Sequence, residues 1–229
     1  LGASFGPYTK ECLDAFIPLV SFNYSSDVRS TAAQAVGRIF DSLCQFVVTE
    51  HCNPEFKEFA NEVYSRILEK VVKQAQLEED DDTEALIAFS DAMSTVAYAA
   101  YSYKYSTEGY VAKLNCNDAR TIVAELIKNT ESSLERRASL ISVLYDGSLD
   151  EDQMVEYEDI LNIEAEFLTG VVDSIGYTLK SMKADFLPIF DSLIVPFFGP
   201  LLKRSTNADS KARFGAICLF DDCIEHLGT

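Results

Sequence analysis

Asp221, Asp222 and Glu225 fall within about one helical turn near the end of the sequence, with His226 directly after them. Carboxylates at that spacing can grip a basic peptide through charge-assisted hydrogen bonds. The same residues also suit an ordinary solvated helix face. Two carboxylates such as Asp221 and Glu225 could begin a metal site, but no histidine or further carboxylate stands at an established ligand spacing, so no metal is expected. Catalysis has less to work with. The histidines are His51 and His226, no Ser-His-Asp or Cys-His set can be assembled around them, and no phosphate-cradling or dinucleotide-binding glycine loop occurs. The chain is read as non-enzymatic, with no catalytic or cofactor-binding residues and no cofactor.

Six cysteines, Cys12, Cys44, Cys52, Cys116, Cys218 and Cys223, sit singly inside apolar patterns without a CxxC pair. They read as reduced core residues of a cytosolic or nuclear protein. The 37 acidic against 19 basic residues give a formal net charge of -18, which opposes direct nucleic-acid binding and favours basic partners. The apolar run at 193–202 is shorter than the roughly 18 residues a membrane span needs and is broken by Pro196, Gly199 and Pro200, so no membrane insertion is expected. The sequence opens at Leu1 rather than a methionine, which suggests a piece of a longer chain.

The elements that would carry these residues are helices. Apolar residues recur at helical spacing almost everywhere, and no alternating strand pattern bounded by hairpin turns is found. In the first pair Leu13, Phe16, Ile17 and Val20 form one stripe. A polar turn at Tyr24 to Ser26 follows, then Asp27 as the expected N-cap of a helix through Val36 and Phe40 to about Val48. Asn53-Pro54 starts a helix to about Gln76, Glu78 to Asp82 ends it, and a partner runs from Thr83 to about Tyr103. A third pair opens near Asn117 and runs past Leu134 into Arg136-Arg137; Asp150 to Asp159 reads as a loop or frayed end before a helix from Ile160 to about Met182. The fourth pairs a helix from Ala184 to Lys203, whose Phe186, Phe190, Phe197 and Phe198 read as core ahead of the edge of an apolar docking groove, with one from Lys211 to Leu227.

Four helical hairpins result, at about 8–48, 54–103, 117–182 and 184–227. Shifting the first pair's second helix by 184 positions lays Arg29 on Arg213, Ala32 on Ala216, Val36 on Phe220 and Leu43 on Leu227. Long amphipathic pairs repeating in this way predict an all-α array, an α-solenoid of about four HEAT-type hairpins forming a single unit, because no pair can bury both its apolar faces alone. Asp27, Arg29 and Arg213 are expected to be structural, the arginines reaching acidic groups in adjacent repeats. The acidic runs at Glu78 to Asp82 and Asp150 to Asp159 read as solvated loops that could also attract a basic partner.

The segment Ala216-Ile217-Cys218-Leu219-Phe220-Asp221-Asp222-Cys223-Ile224-Glu225-His226 resembles a helix of the importin beta-3 branch (karyopherin beta-3, also called importin five) of the importin-beta superfamily. The opening Asp27-Val28-Arg29-Ser30-Thr31-Ala32-Ala33 resembles the commonest start of a HEAT second helix. The order of elements agrees along the whole chain. The resemblance implies a fragment from the C-terminal half of a nuclear transport receptor that shuttles between cytoplasm and nucleus. Such a receptor binds cargo carrying basic signals, Phe-Gly nucleoporins and Ran-GTP, and the main Ran contacts of that family lie in N-terminal repeats. A HEAT scaffold of another kind, such as a phosphatase regulatory subunit or a tubulin-binding array, is the competing reading.

Overall fold

The computed structural model describes residues 2–49, 54–78, 82–102, 114–147, 149–203 and 209–227. His51, Cys52, the carboxylates at 79–81 and residues 204–208 lie outside them. The fold is all-α, and no strand occurs among the described residues. Among the described residues eight helical segments follow in order: α1 (3–21), α2 (Ser26–Val47), α3 (Pro54–Ala75), α4 (Thr83–Ser102), α5 (Cys116–Tyr145), α6 (Glu151–Met182), α7 (183–202) and α8 (Ser210–Leu227).

Consecutive segments pack as pairs, and the pairs line up in two layers. In one layer α2 lies against α4, α4 against α6, and α6 against α8; in the other α1 meets α3 and α3 meets α5. The α5–α7 junction is bridged by Arg120, whose Nη1 donates to Ser192 Oγ at 2.9 Å. Between the layers runs one continuous apolar core, with Phe40, Leu43, Val63, Phe89, Met93, Val123 and Ile175 wholly buried. Phe40 stacks on Tyr64 at 5.4 Å, which joins α2 to α3 across the layers. The second-helix layer is tight because small residues permit close approach. A Cβ added to Gly170 on α6 would meet Ser90 Oγ of α4 at 1.9 Å. Ser90 uses that proximity to donate to the Phe167 carbonyl at 3.3 Å.

Three local expectations are corrected. Ser25, not Asp27, caps α2: its backbone is extended and its Oγ accepts from Val28 N at 3.3 Å, so the helix starts at Ser26 and Asp27 sits exposed in the first turn. The acidic stretch from Glu151 to Asp159 is helix, with Asp150 as its N-cap. Asp150 and Gln153 form a capping box, and Glu151 and Asp152 place negative charge where the helix dipole favours it. The helix expected from Ala184 to Lys203 is broken into a 3-10 turn, an α turn, a π segment at Phe190–Ile194, another α turn and a closing 3-10 turn. Pro188, Pro196 and Pro200 remove three backbone donors over that length, so one uninterrupted ladder cannot form. Pro7 and Pro18 divide α1 in the same way, leaving an α-helical centre at Thr9–Phe16.

The helical run Glu151–Leu202 contains an 18-residue window of mean hydropathy 1.5, long and apolar enough to cross a membrane by length and composition, and 28% of that window is buried. The run is not one straight rod: Lys183, at φ 53, turns the chain between α6 and α7, and the breaks within α7 follow. Phe186 and Phe198 of α7 are buried, and Phe190 meets Phe220 of α8 edge-on at 5.3 Å.

Candidate functional site

The outer face of the second-helix layer gathers the polar side chains that α2, α4, α6 and α8 do not bury. On α4 the uncovered stripe runs Ile87, Asp91, Ser94, Tyr98, Tyr101; on α6 it runs Glu166, Thr169, Asp173, Tyr177, Lys180. Both sets follow the repeat of a helix with a single solvent-facing stripe. Near the α2–α4–α6 crossing, Gln34, Asp91, Ser94 and Glu166 edge a shallow depression of about 290 Å³. Further along, three tyrosines cluster. Tyr98 meets Tyr177 edge-on at 5.2 Å and Tyr101 stacks on Tyr177 at 5.9 Å, while Lys180 Nζ lies 5.3 Å from the Tyr177 ring centre.

Asp222 of α8 closes this cluster by accepting from Lys180 Nζ at 2.9 Å. A Cβ on Gly176 would fall 2.7 Å from Asp222 Oδ2, so the bare glycine lets the carboxylate reach α6. Negative charge accumulates here beyond what Lys180 offsets. Burial raises the pKa of Asp173, Lys180 pulls it back and Asp222 raises it again. Burial followed by the Asp173 charge raises Tyr177, and burial followed by the Asp222, Asp173 and Asp221 carboxylates raises Cys218. An added cation would be stabilised at this position. The arrangement therefore suits reversible capture of Lys or Arg side chains, with tyrosine faces for their apolar stems.

The three carboxylates expected to act together divide. Asp222 is half-buried and ion-paired, whereas Asp221 and Glu225 are exposed. A trio with metal-ligand proximity does form, with donor atoms within 4.8 Å of one another, and it consists of Asp222, Glu225 and His226 rather than Asp221 and Glu225. His226 Nε2 lies 3.7 Å from Glu225 Oε2. His226 is the one histidine among the described residues.

Arg29 crosses from the first hairpin to the second. Its Nε and Nη2 hold both oxygens of Glu78, at 2.7 and 2.5 Å, and its Nη1 donates to the Phe22 carbonyl. The Glu78 side chain is fully buried, with Gln74 Nε2 donating to it at 2.9 Å, so this end of the acidic run is a structural anchor and not a solvated loop. Asp82, at the run's other end, caps α4 by accepting from Ala85 N at 3.1 Å. Arg213 reaches the Leu201 carbonyl of its own hairpin at 3.3 Å.

Two further ties went unread in the sequence. Arg137 is buried; its Nε and Nη2 donate to Asp209 just before α8, and its Nη1 donates to the Leu161 carbonyl at 2.7 Å. Arg136 pairs with the buried Glu164, which also accepts from Ser133 Oγ at 2.7 Å. The signal available was an Arg-Arg step placing one guanidinium on the apolar stripe of α5 and one beside it. Comparison with protein-family models and with curated proteins finds no match to this chain.

Proposed function

We propose that this chain is a HEAT-type α-solenoid whose second-helix face binds basic protein segments without catalysis. The observation that carries this reading is the open acidic face itself: Asp91, Glu166, Asp173 and Asp222 beside the Tyr98–Tyr101–Tyr177 cluster, on a scaffold whose hairpins repeat side by side. An extended surface of this kind wraps a chain segment rather than enclosing a small substrate. On the resemblance at 216–226 and 27–33, the array belongs to a nuclear transport receptor of the importin-beta kind. Its partners are then basic cargo, Phe-Gly nucleoporins and, in the complete receptor, Ran-GTP, and it shuttles between cytoplasm and nucleus.

The test is fluorescence anisotropy with an extended Lys/Arg-rich peptide across a salt series. Binding that falls as salt rises, and that Asp173→Lys with Asp222→Lys weakens about tenfold, supports the reading. Equal affinity for an acidic peptide of the same length, or no change in the double variant, overturns it. For the transport assignment, the complete protein is presented with immobilised Phe-Gly repeats and with cargo in the presence of Ran-GTP. Failure to bind the repeats, or cargo retention unaffected by Ran-GTP, rejects that assignment and leaves the peptide-binding face to its own assay.

A further inference from the structure

Beyond the Arg136–Glu164 pair, α5 and α6 continue past the two layers as a protruding arm. Among residues 138–147 and 149–163 none is buried, yet the arm turns Leu140, Val155, Ile160 and Ile163 toward a shared groove. The two helices frame a groove of about 1060 Å³, floored by Leu140, Val155 and Ile163. Its rim carries Glu135, Asp152, Glu156 and Asp159. The one cation in the lining, Arg136, is already held by Glu164. On α6, positions 152, 155, 156, 159 and 163 share a single helical face, so apolar and acidic groups stand on the same wall.

We propose that this groove is a second docking site, separate from the second-helix face, and that its occupant is an amphipathic basic helix from a partner protein. Charge selects the sign: four rim carboxylates in a chain of formal net charge -18 attract Lys and Arg and repel phosphate backbones, anionic lipid and a second copy of this chain. The floor selects amphipathicity, because the part-covered Leu140 and Ile163 and the 60% exposed Val155 gain by losing water to an apolar stripe. The walls select a helix. Both are α-helices whose backbone groups are internally bonded, so they offer no edge for an added strand, and a bound segment must satisfy its own backbone. A third helix laid between two neighbours meets that requirement at ordinary interhelical spacing.

The experiment measures binding of the full chain to a synthetic helical peptide with leucines at helical spacing on one face and lysines on the other. Its partners in the assay are a scrambled peptide of equal composition and a version with glutamates for lysines. The amphipathic basic peptide is expected to bind, to gain helical circular dichroism on binding, and to weaken with salt. Val155→Glu, at an exposed position that leaves the core intact, is expected to cost about tenfold or more, as is Asp152→Lys with Glu156→Lys. Asp173→Lys with Asp222→Lys is expected to leave this affinity unchanged, which separates the groove from the second-helix face. Equal binding of the scrambled peptide, no helicity gain, insensitivity to Val155→Glu, or self-association by sedimentation that Val155→Glu abolishes would each overturn the proposal.

Discussion

Helix α4 and the distal arm of α5 and α6 are both regular helix, held for opposite reasons. In α4 nearly every side chain from Ala85 to Ala100 is buried apart from one stripe, and its alanines let α2 and α6 close on both flanks. In the arm no described side chain is buried, and the helix start rests on local chemistry: the Asp150–Gln153 capping box and the acids of the first turn. Tertiary burial makes α4 part of the cooperative core. Local capping makes the arm regular while leaving its apolar residues available to a partner. The proposed binding groove therefore sits where folding makes the smallest demand.

The sharpest way to break this contrast is truncation on each side. Phe89→Ala, at a wholly buried position in α4, is expected to cost about 3–5 kcal/mol by urea unfolding. Val155→Ala in the arm is expected to stay within about 0.5 kcal/mol of the parent chain. Comparable losses at both positions would mean that the arm is core and its groove is not free.

The joint between the hairpins gives the next largest effect. Glu78→Ala leaves the Arg29 guanidinium, 17% exposed in its side chain, without its bidentate carboxylate, and a loss of about 3 kcal/mol is expected. The double variant Arg29→Met with Glu78→Leu is expected to recover most of it, because no guanidinium is then left facing the emptied carboxylate position. A double variant as unstable as the single one would show that the pair does more than satisfy itself.

How much of this was legible in sequence follows the same division. Wherever burial sets the period, as at Leu13, Val20, Val36 and Phe40, apolar spacing predicted both the helix and its inward face. The all-α class followed from that spacing. Reading failed where chemistry other than burial decides. Asp150 to Asp159 looks like a charged loop until Asp150 and Gln153 are seen to cap each other, and Ala184 to Lys203 looks like one helix until three prolines are counted as missing donors. The partners of charged residues were least accessible. Arg29 was expected to reach an acidic group in an adjacent repeat, but nothing in one dimension names Glu78 as that group, 49 residues away, or joins Arg137 to Asp209 at a separation of 72. On the candidate face, Asp222 was visible as an acid; that Gly176 admits it to Lys180 and the tyrosines was not.

A smaller effect separates capping from burial directly. Asp150→Ala removes the carboxylate that accepts from Gln153 N and is expected to cost about 1 kcal/mol of helix stability. Because the arm lies outside the buried core, the loss should appear as faster amide exchange over the first turns of α6, with the urea midpoint nearly unchanged. A shifted global midpoint with unaltered exchange in the arm would reverse the assignment of α6's start to local forces.

The smallest effect tests the second-helix face by pH. Folding raises the pKa of Asp173 chiefly by burial, which outweighs the pull of Lys180, with the charge of Asp222 a lesser contribution in the raising direction. The native state therefore holds this proton more tightly than the unfolded chain. Native stability from this group is complete below the ordinary carboxylate range and is lost as pH rises through the raised value. Asp173→Asn should accordingly raise the melting temperature at neutral pH, and the gain should shrink as pH falls below about 4, where the parent side chain is itself neutral. A basic peptide bound to the face should compensate the Asp173 charge that burial leaves costly, so it should stabilise the parent chain more than Asp173→Asn at neutral pH. A gain that persists unchanged in acid would assign the effect to packing of the amide and would remove the unmet charge on which capture of a cationic segment at this face depends.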